Sequence, residues 1–172
     1  MIIKSKSYKS NKTFKTLVNY IFRGIDKEKD FLFTKFIRGD KTDEQNITRQ
    51  LRQNEMYRKI LRSNSIKMYM EIISFHKKDK KYLTKEVLTK IAREYVKERS
   101  RNSVAISIVH RDKDHVHLHI LLSGVEFKTG DGTRKTKQDF KNLKLHMEAL
   151  QKNKFPQLSH SVIQHDKNVK KK

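Results

Sequence analysis

The sequence predicts an α+β domain built on a mainly antiparallel central sheet packed with helices, and three observations carry that prediction. Early in the chain, apolar and β-branched runs with strand character are separated by segments of helical period. Later, the runs Val104 to Val109 and Val116 to Leu122 are joined only by His110 to His115, a connection short enough for an antiparallel hairpin. No glycine-rich phosphate loop occurs, which disfavours a flavodoxin-like parallel sheet.

Taken in order, Ile2 to Lys6 is a short β-like start. Ser10 or Asn11 then caps a helix running to about Phe22, with Phe14, Leu17, Val18 and Ile21 on one apolar stripe and Tyr20 off it. Gly24 ends that helix, and Phe31 to Ile37 reads as an extended, largely buried segment. A second helix is expected from roughly Asp43 to Arg62, with Arg49, Arg52, Arg58 and Lys59 on its outer face. Lys67 to Phe75 has the composition of a strand, and Thr84 begins a helix to about Arg99. After the hairpin, Thr129 to Thr133 forms a turn, and a last helix occupies Lys137 to Gln151, before Pro156.

The chain of 172 residues is long enough to enclose one core without disulfides, and the sequence marks no internal boundary. We read residues 1–164 as the domain and 165–172 as a solvated basic tail whose abrupt end fits a cut from a longer protein. With no cysteine, thiolate ligands and thiol nucleophiles are excluded, so a bound metal must be held by nitrogen and oxygen donors. The 41 Lys and Arg against 19 Asp and Glu leave a formal charge of +22, spread along the chain. Such a surface attracts phosphate backbones, whose neutralisation releases counterions. No apolar run is long enough to span a bilayer and no secretory signal stands at the N-terminus, so a cytoplasmic location without membrane insertion is expected.

Four of the eight histidines fall between His110 and His119. Alternate side chains share a strand face, so His117 and His119 point one way while Val116, Leu118 and Ile120 point into the core. Their Cα atoms then stand about 7 Å apart, from where two imidazoles can converge on one ion. His110, at the end of the partner strand, supplies a third nitrogen if the hairpin closes. Such a set leaves metal positions open for phosphate oxygens and water, as a Lewis-acid catalyst needs. Asp112 is placed to accept the distal N–H of a ligating histidine, and Asp114 and His115 either do likewise or face solvent. The competing reading is a polar, solvent-facing strand with incidental histidines.

The string His110-X-Asp112-X-Asp114-His115-X-His117-X-His119 resembles the third motif of plasmid and mobile-element relaxases, the mobilisation nucleases of MobA/TraI-like (MOBP) or related type. These belong to the HUH (His-hydrophobic-His) endonuclease superfamily, and His117-Leu118-His119 looks like the HUH core. Leu17-Val18-Asn19-Tyr20-Ile21 is similar to the family's first motif, and Phe155 to Ser161 resembles the end of such domains. The resemblance implies a palm-like, ferredoxin-like HUH sheet. It also implies His110, His117 and His119 as metal ligands, Asp112 as a supporting carboxylate and Tyr20 as nucleophile. The implied reaction is strand-specific nicking of single-stranded or locally melted oriT DNA through a 5′-phosphotyrosyl intermediate, with rejoining, to begin conjugative mobilisation. The implied cofactor is a divalent ion, Mg²⁺ or Mn²⁺, and the implied partners beyond DNA are accessory mobilisation proteins and a coupling protein.

Some relaxase branches use a histidine nucleophile, but none precedes His76 here, so tyrosine chemistry is the consistent reading. Of six tyrosines, Tyr20 stands apart by lying off its helix's apolar stripe, where the alternative role is an amphipathic anchor at a wet boundary. Candidate DNA contacts are Arg23, Arg49, Arg52, Arg111, Arg134 and Lys135, which the sequence does not rank. Glu71, alone in an apolar run, is either solvent-facing or buried beside a positive group, and the first is the plainer reading. The alternatives to a relaxase are an HUH replication initiator or transposase, and a non-catalytic metal-stabilised nucleic-acid-binding domain.

Overall fold

A computed structural model of the chain describes residues 1–111 and 115–163. The strands are β1 (Ile2–Tyr8), β2 (Phe31–Lys35), β3 (Met68–Ser74), β4 (Ser103–Arg111) and β5 (Val116–Glu126). The helices are α1 (Thr13–Phe22), α2 (Glu44–Glu55), α3 (Lys85–Ser100) and α4 (Lys137–Lys154), with a short 3-10 segment at Lys77–Tyr82. The strands form one sheet in the order β1-β3-β5-β4-β2, and every neighbouring pair is antiparallel. The protein is therefore the α+β domain that its patterning predicts.

Strand parity sorts the side chains into two cores. On β5, Val116, Leu118, Ile120 and Leu122 join the cluster beneath α3 and α4, with Leu88, Ile91, Tyr95, Leu143 and Met147. Leu121 of the same strand belongs to the other cluster, with Phe14, Leu17, Val18 and Ile21 of α1 and Ile47 and Leu51 of α2. Two helices thus cover each face of the sheet. His117 and His119, in phase with Leu121, lie on the α1/α2 side.

Several boundaries differ from the sequence expectation. The second helix stops at Glu55, well short of Arg62. There Arg58 turns back to bond both the Glu55 carboxylate and the Ile66 carbonyl, and the Lys59 amide donates to the carbonyl of Gly130. The first helix begins at Thr13 after Lys12, without a side-chain cap; Ser10 instead accepts from the Lys12 amide one turn earlier. The extended segment ends at Lys35 because Phe36 has φ 59°, a turn conformation a strand cannot continue through. It is also an edge strand, only partly buried. The final helix runs on to Lys154, and its end before Pro156 agrees with the restriction proline places on the preceding residue.

Glu71 overturns the plainer expectation. It is fully buried, and its carboxylate accepts from Arg99 Nε at 2.8 Å, Tyr95 Oη at 2.7 Å and Ser5 Oγ at 2.7 Å. Arg99, itself buried, also donates to the Thr133 carbonyl and lies over the Tyr69 ring. A charge inside a core persists only when paired and hydrogen-bonded in this way. The network ties α3 to the middle of the sheet on the face opposite the histidines.

Candidate active site

The histidine cluster is assembled where α1 ends over the β4–β5 hairpin. His110 lies directly across from His117 in the antiparallel register, and Ile108 lies across from His119. Because facing residues project to the same side, His110, His117 and His119 all emerge on the α1/α2 face. The His110 and His119 ring centroids are 4.1 Å apart, and those of His117 and His119 6.5 Å apart. His119 is buried, while His110 and His117 are half-buried.

Two hydrogen bonds hold the outer rings. His110 Nε2 lies 2.8 Å from the Ile21 carbonyl in the last turn of α1. A carbonyl only accepts, so Nε2 carries the hydrogen and the lone pair of a neutral His110 is on Nδ1. His117 Nδ1 lies 2.9 Å from Ser74 Oγ, which faces it across the β3–β5 pair and leaves Nε2 as the outward nitrogen. These bonds come from a helix end and a neighbouring strand, so the hairpin alone does not set the ring orientations. Three imidazoles on one face form a nitrogen donor set of the kind that suits a divalent ion and leaves coordination positions open. The rings stand open rather than closed around a point. Among the described residues, the trio with ligand atoms within 4.8 Å of one another is Glu94, Glu98 and His146, on α3 and α4.

Tyr20 is brought to this cluster. Its off-stripe position on α1 leaves the side chain 47 % exposed, and its ring centroid is 6.1 Å from that of His110 and 5.8 Å from that of His119. The same turn of α1 that presents Tyr20 also holds His110 through Ile21. Asp112 and Asp114 lie outside the described residues. His115 is exposed, with its ring 5.9 Å from that of His117.

The basic candidates divide by position. Arg23 follows α1 directly and is exposed beside the Tyr20 turn. Arg111 ends β4 and pairs with Asp30 at 3.3 Å. Arg49 and Arg52 are exposed on α2, in the same helix layer as Tyr20, with Arg49 bonded to Asn46 Oδ1. Arg134 and Lys135 are exposed just before the Thr136 cap of α4, the helix layer on the other face of the sheet. The structure therefore groups Arg23, Arg49 and Arg52 with the histidine face and separates Arg134 and Lys135 from it, while Arg111, across from Val116 at the end of β4, alternates to the opposite side of the sheet from His110. No helix among the described residues is long and apolar enough to cross a membrane.

This sheet, with its helix pairs, defines the class: it is the relaxase fold. The MobM relaxase domain of MOBV type, bound to 26-nucleotide pMV158 oriT DNA, superposes with a TM-score of 0.59 at 15% identity, covering 100% of this chain and 95% of that one. A Mn-bound crystal structure of the same domain on pMV158 oriT DNA gives 0.59 at 16% identity, covering 100% and 94%. A chain from work on the molecular basis of vancomycin resistance transfer in Staphylococcus aureus gives 0.63 at 15% identity, covering 96% and 97%. No curated protein matches by sequence. The family model for the MobA/VirD2-like relaxase nuclease domain matches residues 20–154, and the chain belongs to that family.

Proposed function

We propose that this relaxase domain nicks one strand of oriT DNA through Tyr20, with His110, His117 and His119 holding a divalent ion that Asp112 supports from outside the described residues. The observation that carries the reading is the placement of an exposed tyrosine within 6.1 Å, centroid to centroid, of two of the three histidines. MobM, of the same fold, is a relaxase domain bound to oriT DNA and has a Mn-bound form, which supports both substrate and ion class. Of Mg²⁺ and Mn²⁺, an all-imidazole donor set favours Mn²⁺, because Mg²⁺ prefers oxygen ligands.

A phenol is a weak nucleophile at neutral pH and a phosphodiester repels anions, so the site must offset both. When bound, the ion supplies Lewis-acid stabilisation of the charge that develops on the nonbridging phosphate oxygens. Tyr20 Oη forms a bond to phosphorus as the bond from phosphorus to the 3′-oxygen breaks. The tyrosine gives up its proton to solvent, and the departing 3′-oxygen takes one up as a free hydroxyl. The product is a 5′-phosphotyrosyl link that conserves the energy of the cut, so a 3′-hydroxyl can later reseal the strand by the reverse exchange. Arg23, directly after the Tyr20 turn, is suited to holding the backbone there, and Arg111 at the end of β4 is a more distant candidate. Both faces of one phosphate must be reached, which requires single-stranded or locally melted DNA. In the cell such a domain would act in the cytoplasm, with accessory mobilisation proteins and a coupling protein delivering the strand.

The ligand set is tested by titrating Mn²⁺ into the protein and a His117→Ala/His119→Ala variant and following heat release. The expected result is loss of the binding isotherm in the variant with the fold retained by circular dichroism. An unchanged isotherm overturns the ligand assignment.

A further inference from the structure

The far end of the sheet carries a second feature on the same face. A cleft of about 590 Å³ opens between the C-terminal half of α2 and the loop after β5. Its aromatic lining is Phe36, Tyr57 and Phe127, its cations are Arg38 and Lys128, and no carboxylate lines it. Phe36 and Phe127 stack at 4.6 Å with only 10° between ring planes, and the ammonium groups of Lys35 and Lys128 lie over these rings. Tyr57 and Phe36 are exposed, at 57% and 39%.

The backbone is set to present these rings. Phe36 has φ 59° and Lys128, next to Phe127, has φ 65°, a conformation side-chain-bearing residues seldom adopt. Such outliers gather at ligand clamps, where surrounding structure holds them. The Tyr57 side is pinned as well, through the bond from the Lys59 amide to Gly130 and the Lys59–Asp131 ion pair.

We propose that this cleft takes an unpaired nucleotide of the single strand, its base against the aromatic rings and its phosphate near Arg38 and Lys128. Sequence-tolerant binding of single strands combines stacking rings with a basic rim, and this cleft has both without an acidic group to repel the backbone. From His117 to Phe127 is about 33 Å along β5 at roughly 3.3 Å per residue. A strand held at the histidines can therefore follow the α1/α2 layer to a second anchor. The proposal rests on the reading that the substrate is single-stranded DNA, but not on nicking.

The test is fluorescence anisotropy of the whole chain with an oligodeoxythymidylate of about 30 nucleotides, without divalent metal, so that no adduct can form. A Tyr57→Ala/Phe127→Ala variant is expected to bind about five- to hundred-fold more weakly, the range for losing a stacked base, while Tyr57→Phe restores affinity in the single-site series. A 2-aminopurine moved along the strand should be quenched at one position in the parent protein and not in the double variant. Unchanged affinity with no quenched position overturns the proposal. So does a variant that binds DNA normally but loses self-association in sedimentation, since the face, with exposed Met56, Ile60 and Leu61 beside it, would then serve a protein contact. If no tyrosyl adduct is ever found yet the double variant still loses affinity, the nicking assignment fails and the cleft stands. The reverse outcome separates them the other way.

Discussion

Burying the Glu71 carboxylate against Arg99 leaves each charge dependent on the other, because neither reaches water. Glu71→Gln leaves the guanidinium without its counter-charge, and a loss of about 3–5 kcal/mol in urea unfolding is expected. A change below about 1 kcal/mol would show that Thr133 and Tyr69 suffice for Arg99. Burial, then the adjacent Glu71 charge, pushes the Tyr95 phenol well above its ordinary value of 10. Above that pH the unfolded chain sheds the proton while the folded protein keeps it, so stability falls as pH rises from about 10. Tyr95→Phe should make the alkaline limb of a stability profile shallower; an identical slope contradicts it. The partner of Glu71 was within reach of the sequence, because Leu88, Ala92, Tyr95 and Arg99 share one stripe of α3. A basic residue near a helix C-terminus reads more readily as a solvated end. His117 and His119 were legible from strand parity alone, whereas the His110 bond to Ile21 depends on how α1 docks.

At the scale of elements, local signals placed the helices whose ends are capped locally. Thr84 caps α3, and Thr136 with Asp139 forms a reciprocal capping box on α4. The end of α2 escaped notice because its determinants, Ile66 and Gly130, are distant in sequence. Gly130 has φ +72°, and a Cβ there would sit 1.7 Å from the Tyr57 carbonyl oxygen. Gly130→Ala must therefore displace the segment after α2, and weaker single-strand binding with a lowered melting temperature is expected. Asp43 caps α2 by accepting from the Gln45 and Asn46 amides. Asp43→Ala should cost about 0.5–2 kcal/mol in denaturant unfolding without changing metal binding.

Across the whole molecule, the formal charge of +22 makes DNA affinity steeply dependent on salt. For single strands, the log–log slope should fall by about 0.7 for each phosphate contact removed. Arg23→Ala and Arg52→Ala, on the histidine face, should each reduce it, while Arg134→Ala should leave it unchanged. A full-size reduction from Arg134→Ala would mean that the strand reaches the opposite layer. The central claim is that Tyr20 attacks the strand. It is tested most directly by incubating the protein with single-stranded DNA carrying the oriT of its own element and Mn²⁺, digesting the product and locating the nucleotide adduct by mass spectrometry. The account predicts a 5′-phosphoryl adduct on the peptide containing Tyr20 and none from a Tyr20→Phe variant that still binds Mn²⁺. An adduct on any other residue, or one that persists in Tyr20→Phe, would contradict it.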